Sequence, residues 1–355
     1  MESKPQLHIF NPEHDLALAA GRVHFNAPAA AVKLRDALCF LPAFWADNGD
    51  WVLVDDVCWA EEKAAPFSQW LADVRWVTPA ILSKLLKEGA VGNIIPNPWG
   101  WDVTVRDELR KMRVPEEVLP DDDCLEKIRQ LSGRIHTYGA LRVMNTDLTG
   151  VIGEVLPVNH VEEIKEKLSL WRKIVMKAPW SSSGRGVMFV DGSLSDSLIS
   201  WAQHVIDRQG YLMVEKFLDK QQDFAMEFYA SENGMTEYVG LSLFDTRNAA
   251  YAGNVIAPEE DKMKTLQHLL PKLLLEDVKT WLCRYLSSIL AGNYVGPLGV
   301  DMMVVRGPEG GLLNPCVEIN LRRTMGHLAV SLSRHNDLAG CRFVIDGFKF
   351  SILGR

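Results

Sequence analysis

Pro315-Cys316-Val317-Glu318-Ile319-Asn320-Leu321-Arg322-Arg323 alternates apolar and polar side chains through its middle. A period of two is a strand signature. It predicts Glu318, Asn320 and Arg322 on one face, with Val317, Ile319 and Leu321 on the other. A carboxylate, an amide oxygen and a guanidinium on one face suit a metal-bound polyphosphate. The oxygens can hold a hard cation such as Mg2+, and the guanidinium can pair with phosphate oxygens. The same alternation also describes a half-exposed strand with a solvated polar face, so the flanking sequence has to decide.

Just upstream, Gly299-Val300-Asp301-Met302-Met303-Val304-Val305 is an apolar strand interrupted by one acid. An Asp in such a strand is costly unless paired or metal-bound. One short connection, Arg306 to Gly311, predicts a hairpin with Asp301 and Glu318 facing each other across two strands. Two carboxylates at that range repel unless a cation sits between them.

Further back, Lys177 ends the apolar strand Ile174-Val175-Met176-Lys177 and is followed by Ala178-Pro179-Trp180-Ser181-Ser182-Ser183-Gly184-Arg185-Gly186-Val187. A loop of small residues lets backbone N–H groups approach phosphate oxygens, and lysine at the strand end supplies a charge for the same oxygens. No G-K-[ST] closes it, so it is not a Walker A loop, and a Ser/Gly-rich hairpin turn is its plain structural alternative. Met213-Val214-Glu215-Lys216-Phe217-Leu218, followed by Asp223, can line an adenine pocket. Backbone groups at Lys216, Phe217 and Leu218 would read the base edge and Asp223 would accept from ribose hydroxyls. Taken alone, Glu215 reads equally as a surface carboxylate.

The first hundred residues have another rhythm. Short strands at 6–10, 51–54, 74–77 and 94–95 alternate with helical stretches near 28–40, 66–72 and 79–87, which argues for a parallel α/β sheet. Such sheets bind ligands at the carboxyl ends of their strands. Glu13-His14-Asp15, Asp55-Asp56 and Trp99-Gly100-Trp101-Asp102 fall at such ends. Carboxylates there can hold an ammonium, and a tryptophan face can meet a cation. That makes Glu13, His14, Asp15, Trp99, Trp101 and Asp102 candidate substrate contacts; the alternative is helix capping by His14 and Asp15 and packing by the tryptophans. No G-x-G-x-x-G follows the first strand, which argues against a dinucleotide site. A Pro-bounded turn before residue 120 marks a module boundary. Beyond it, helices are expected over 123–131, 134–144, 160–170, 195–208 and 277–291, and strands over 151–156, 173–178, 186–190, 211–217, 222–230 and 236–245.

The 355 residues are enough for two or three modules, and 47% hydrophobic with 24% charged residues is ordinary globular composition. A formal net charge of −8 argues against a sequence-independent nucleic-acid binder. Six cysteines without a C-x-x-C pair suit buried thiols in a reducing cytoplasm. The absence of a signal-peptide h-region and of any long apolar run adds the expectation of a cytoplasmic protein with no membrane partner.

In its order of strand-Lys, Ser/Gly-rich loop, V-E-K-F-L, strand-Asp and V-E-I-N-L-R, the chain resembles the ATP-grasp superfamily, in the branch of carboxylate–amine ligases that includes biotin carboxylase and D-alanine ligase. The resemblance covers about residues 120–335. It implies an α/β protein, α+β in its catalytic part. A pre-grasp parallel α/β domain (1–118) would precede a two-lobed ATP-grasp domain (119–355, smaller lobe about 145–215, C-terminal lobe about 216–355), with the nucleotide between two sheets. ATP and Mg2+, with Mn2+ as an alternative, are the implied cofactors.

Residue by residue, the resemblance implies Lys177 on the α/β phosphates and Ser181, Ser182, Ser183, Gly184, Arg185 and Gly186 as a mobile loop over them. Glu215 would meet the adenine amino group and Asp223 the ribose. Asp301, Glu318 and Asn320 would hold the metal, and Arg322 the transferred phosphoryl group. Arg134 stands where many members carry a first phosphate-binding lysine, and the doubled Arg322-Arg323 lets the phosphoryl role fall on either residue. The implied reaction joins a small-molecule carboxylate, an amino acid or small peptide among the options, to an amine or other nucleophile through an acyl phosphate. A homodimer is left open. A small-molecule kinase on the same scaffold and a nucleotide-binding protein without turnover are the alternatives; the intact acid set disfavours the last.

Overall fold

The structure is a computed structural model that describes residues 4–89, 94–181, 186–247, 250–308 and 310–354. The Ser182 to Arg185 part of the expected phosphate loop lies outside the described residues.

The chain opens with a parallel layer. Strands β1 (Gln6–Ile9), β2 (Trp51–Leu53), β3 (Arg75–Val77) and β4 (Ile95–Pro98) form a four-stranded sheet in the order β3-β2-β1-β4. Helices α1 (His14–Ala20), α2 (Ala29–Ala37), α3 (Val57–Ala64), α4 (Pro79–Lys87) and α5 (Val103–Lys111) flank it. The caps are those the sequence offers. Asp56, Thr78 and Asp102 each accept a backbone N–H of the helix they precede, and Pro79 occupies the first turn of α4. The 66–72 helical stretch is a 3-10 helix over Ala65–Trp70. The polar turn after β1 is shorter than its sequence suggests, because α1 already begins at His14.

Two helices, α6 (Asp122–Leu131) and α7 (Ile135–Asp147), connect to the second layer. There β5 (Val155–Val158), α8 (Val161–Trp171), β6 (Lys173–Lys177), β7 (Val187–Asp191), α9 (Asp196–Gln209) and β8 (Leu212–Lys216) build an antiparallel sheet in the order β5-β8-β6-β7. The strand expected at 151–156 starts at Val155; Val151 makes only an isolated bridge to Leu313. One face of this sheet, with Ile174, Met176, Val190, Leu212 and Val214, packs on α8 and α9. Strand alternation leaves Val175, Lys177, Phe189, Met213 and Glu215 on the other face.

The third layer holds the largest core. It runs β9 (Lys220–Ala230), β10 (Thr236–Arg247), β11 (Ala250–Val255), α10 (Glu259–Gln267), α11 (Lys272–Leu290), β12 (Gly296–Gly307), β13 (Gly310–Asn320), α12 (Met325–Leu332), β14 (Arg342–Asp346) and β15 (Lys349–Leu353). Its seven strands lie in the order β13-β12-β9-β10-β11-β14-β15. Phe224, Met226, Phe228, Leu241, Leu243, Val300 and Met302 press one face onto α11, whose apolar stripe is the longest helical signal in the sequence. The opposite face carries Glu227, Asp301, Glu318 and Asn320, with α12 lying over part of it.

The parallel layer is fastened to the C-terminal part by one apolar cluster. Phe10, Phe40, Phe44 and Trp99 meet Leu328, Leu332, Phe343 and Phe350 there. Phe67 stacks on Phe40 at 5.6 Å and meets Phe350 edge-on at 5.1 Å. Among the described residues, no helix is long and apolar enough to cross a membrane, and all six cysteines are free thiols.

Candidate active site

The β12–β13 register sets Asp301 opposite Glu318 and Gly299 opposite Asn320. A bulge follows, since Met303 next pairs with Asn314. Pro315, which has no N–H to donate, falls inside it. Asn320 donates its Nδ2 to Asp301 Oδ2 at 3.1 Å. Burial, then the neighbouring Glu318 and Glu227 carboxylates, push the Asp301 carboxyl up to about 8. At that value the acid keeps its proton near neutral pH.

Cations border the acids from three elements. Lys177, at the end of β6, places Nζ 2.8 Å from Glu215 Oε1 and 3.4 Å from the Val317 carbonyl. Arg134 sits at the start of α7, almost wholly buried. It donates to Glu318 Oε1 at 2.6 Å, to Ser181 Oγ at 2.8 Å and to the Ala178 carbonyl. Arg322 lies just past the end of β13 rather than on its face, because the strand stops at Asn320. Its Nε and Nη2 clamp Asp15 at 3.0 and 2.8 Å, and Nη2 also reaches Asn320 Oδ1 at 3.0 Å. Burial alone would raise the Asp15 carboxyl, but the guanidinium outweighs it and holds the group below the usual carboxylate range. A small cleft lined by Asp15, Ser132, Trp180, Ser181, Glu318 and Asn320 opens among these groups.

No protein-family model matches the sequence, and no curated protein matches it. Solved structures do match. The biotin carboxylase domain of the 2-oxoglutarate carboxylase of Hydrogenobacter thermophilus, a dimer in complex with MgADP, ADP and bicarbonate, aligns with a TM-score of 0.51 over 93% of this chain and 69% of its own, at 12% identity. The chain has the ATP-grasp fold. The N5-carboxyaminoimidazole synthetase of Staphylococcus aureus with ADP is also similar, at TM-score 0.49 and 14% identity over 96% of this chain and 78% of its own. So is the D-alanyl-alanine synthetase A of Vibrio cholerae, at 0.46 and 13% over 90% and 88%.

In this ATP-grasp fold the open face of the β5-β8-β6-β7 sheet also carries a feature the sequence reading passed over. Phe189 on β7 and Phe217, just past β8, meet edge-to-face at 6.3 Å, and both are exposed. The signal was available: in Val187-Met188-Phe189-Val190 the alternation puts Phe189 opposite the buried Val190. The Lys216 N–H is taken by the Glu154 carbonyl and the Phe217 N–H by the Lys173 carbonyl. Among the described residues only the Leu218 N–H of those three has no partner. The Lys216 amine meets Glu154 at 3.0 Å. Asp223 Oδ2 accepts from Lys220 Nζ at 2.5 Å and Thr246 Oγ1 at 2.7 Å. At the base of the Ser/Gly-rich loop, Ala178 N–H donates to the Gly186 carbonyl at 2.8 Å.

The N-terminal candidates divide. Asp15 is brought to Arg322 at the site. Glu13 pairs with Arg35 at 2.6 Å. His14 Nδ1 meets Asp102 Oδ2 at 3.0 Å, both buried, while Asp102 Oδ1 caps α5. Gly100 has to be glycine here, since a Cβ would lie 2.5 Å from the His14 ring. Trp99 is buried against Phe10 and Trp45, and Trp101 fills the seam between two core clusters. Arg323 separates from Arg322. Its N–H binds the Trp99 carbonyl at 2.8 Å and its guanidinium lies over the Trp45 ring at 4.9 Å.

A second group absent from the sequence reading supports the Arg322-Arg323 segment. Glu227, fully buried, accepts from Thr324 Oγ1 at 2.8 Å and lies 3.0 Å from His327 Nδ1. It thereby holds the start of α12, which follows the two arginines. A Cβ at Gly326 would lie 1.8 Å from Glu227 Oε1, so only glycine admits this approach.

Proposed function

We propose that this chain is an ATP-dependent, ADP-forming ligase that joins a carboxylate to an amine through an acyl phosphate. The observation that carries the reading is Asp301 and Glu318 in register across one hairpin, bordered by Lys177, Arg134 and Arg322. Acids that crowd each other into holding a proton, ringed by cations, make a place for a metal-bound polyphosphate.

The donor set fits Mg2+. Among the described residues no three His, Cys, Asp or Glu side chains gather into a metal cage. Mg2+ does not require one, because it is commonly held by one or two carboxylates with phosphate oxygens and water completing its shell. Asp301, Glu318 and the Asn320 amide oxygen would hold it. Bound there, it supplies positive charge against the phosphate oxygens.

The chain's own residues supply the rest. Phe189 and Phe217 flank the base, the Leu218 N–H reads its edge and Glu215 takes its amino group. Asp223 accepts from the ribose. Lys177, Arg134 and the Ser181–Gly186 loop gather the phosphates. A carboxylate oxygen attacks the γ-phosphorus while the bond to ADP breaks, and Arg322 neutralises the group in transfer. The amine then attacks the acyl carbon, loses a proton and displaces phosphate. Closure of the site against water protects the acyl phosphate. Residues 1–118 act as the pre-grasp domain, and Asp15 is its contribution to the site. A reducing cytoplasm suits the free thiols.

The test is ADP and phosphate release against a panel of amino acids and other carboxylates, with and without amines, read together with product mass. Phosphate appearing only with both substrates, and a condensed product, is the expected result. ADP with a phosphorylated product and no free phosphate would make the chain a kinase. Neither ADP nor product across the panel would overturn catalysis.

A further inference from the structure

Among the described residues, three cations at the site each have a carboxylate within 3 Å. Lys177 has Glu215 at 2.8 Å, Arg134 has Glu318 at 2.6 Å, and Arg322 has Asp15 at 2.8 Å. Arg323 has none, and its guanidinium donates no hydrogen bond among the described residues. One face of the ion is covered by Trp45, a cation–π contact that leaves the N–H edges unused. Burial outweighs the neighbouring Tyr294, Tyr229 and Glu227 and pulls the group down to about 10. Glu227, the one acid in that set, already receives Thr324 and lies against His327. A buried nitrogen without a partner lies near. His8 is buried, its Nε2 is 2.9 Å from Asp50 and its Nδ1 has no partner among the described residues. The Arg323 charge is close enough to act on that ring.

Arg323 is half-buried, and its N–H groups are not among the fully buried polar atoms without a partner, so they stay open to a ligand from solution. Its place is informative as well. Arg322 and Arg323 are adjacent but diverge, one toward Asp15 and Asn320 and the other toward Trp45. Tyr294 feels both charges. On β9, Tyr229 follows Glu227 by two residues and so shares the sheet face that carries the metal-binding candidates. Arg323 therefore sits next to Arg322 at the seam between the parallel layer and the C-terminal sheet, its N–H on the Trp99 carbonyl and its guanidinium on Trp45.

We propose that Arg323, seated on Trp45, is a binding site for an anionic group, a carboxylate or a phosphate, carried by the non-nucleotide substrate. The substrate would then reach from the transferring phosphoryl group at Arg322 to an anchored anion at Arg323. The word substrate rests on the ligase reading; the anion site itself does not. A purely structural Arg323, gluing the two layers through Trp45, would show no dependence on small anions.

The experiment uses the full chain saturated with MgADP, so that Lys177 and Arg134 are occupied. Inorganic phosphate and, separately, acetate are titrated at constant ionic strength while Tm is followed. In parallel, phenylglyoxal labelling of Arg323 is mapped by mass spectrometry with and without each anion. Expected is a saturable rise in Tm with at least one of the two, slower labelling of Arg323 by the same anion, and an apparent Kd at least tenfold weaker in Arg323→Met. Phosphate alone points to a phosphorylated substrate, and acetate alone to a carboxylate. No saturable rise with either anion and unchanged labelling would overturn the proposal. So would an Arg323→Met protein that keeps the wild-type response, as when phosphate lodges at Arg322 instead. If Arg323→Met does not fold, the wild-type labelling decides. A missing MgADP shift would count against the nucleotide reading and leave the two anion arms to be read without it.

Discussion

Replacing Asp301 with asparagine removes the charge and keeps the shape, so its effect can be worked from the site. The ordinary aspartate value is 3.8, and in the folded protein the carboxyl is pushed up to about 8. Between those two values the folded state holds a proton that the unfolded state has released. The folded state binds more protons there, so stability falls as pH rises from about 4 to about 8 and levels off beyond. Each pH unit is worth ~1.4 kcal/mol, so at pH 7 the wild-type carboxyl costs on the order of 4 kcal/mol relative to a group that does not titrate. Asp301→Asn abolishes that cost and keeps an oxygen for Asn320 Nδ2. With an unfolding entropy of ~2 cal/mol/K per residue, 355 residues convert the gain into a Tm rise of about 5 °C at pH 7. The assay is calorimetry of the nucleotide-free protein from pH 4 to 8. The variant should be the more stable at pH 7, with a flatter profile, and should have lost turnover. Adding Mg2+ and ADP should flatten the wild-type profile, because a bound cation takes the place of the proton. An Asp301→Asn protein that melts below wild type at pH 7, or keeps the wild-type slope, would refute this account of the site.

Lys177→Ala should weaken ATP binding by roughly 1.5–3 kcal/mol, the range for a hydrogen bond to a charged group, as read by titration calorimetry; unchanged affinity in a folded variant removes Lys177 from the phosphates. Asp15→Asn loosens the clamp on Arg322, so kcat/KM for the non-nucleotide substrate should fall by about ten- to a hundredfold, with the KM for ATP nearly unchanged. His14→Ala should behave differently, lowering Tm while leaving both KM values in place, since His14 is spent on Asp102 inside the fold. Gly326→Ala drives a methyl into Glu227 Oε1, and a loss of about 3 kcal/mol or more in chemical denaturation is expected; a variant as stable as wild type would mean that α12 shifts freely.

Much of this molecule is written locally. The alternation in Val317 to Leu321, the apolar run at Val300 to Val305 and the short connection between them set the hairpin, because strand period and turn length are properties of neighbouring residues. The parallel layer and the helix of Lys272–Leu290 are legible for the same reason. Elements without a strong period of their own were not: α1, α3, α10 and α12, and the strands β11, β14 and β15. These are held in place by what they pack against, as Phe350 is by Phe40 and Phe67, and Phe343 by Phe350.

What the sequence determined by itself was the chemistry on offer: which acids, which cations and which small-residue loop, in what order. Which of them meet was decided only by the tertiary structure. Asp15 and Arg322 are 307 residues apart in sequence yet share a bidentate pair, and Arg134 reaches Glu318 across 184. Local pattern carries no information about such distant partners. The adjacent Arg322 and Arg323 show the converse. No local rule separates them, but the end of β13 at Asn320 and the docking of the parallel layer turn one toward Asp15 and the other onto Trp45. Burial then sets the charge state of each group, because the cost of taking an ion out of water depends on everything packed around it and not on its neighbours in the chain.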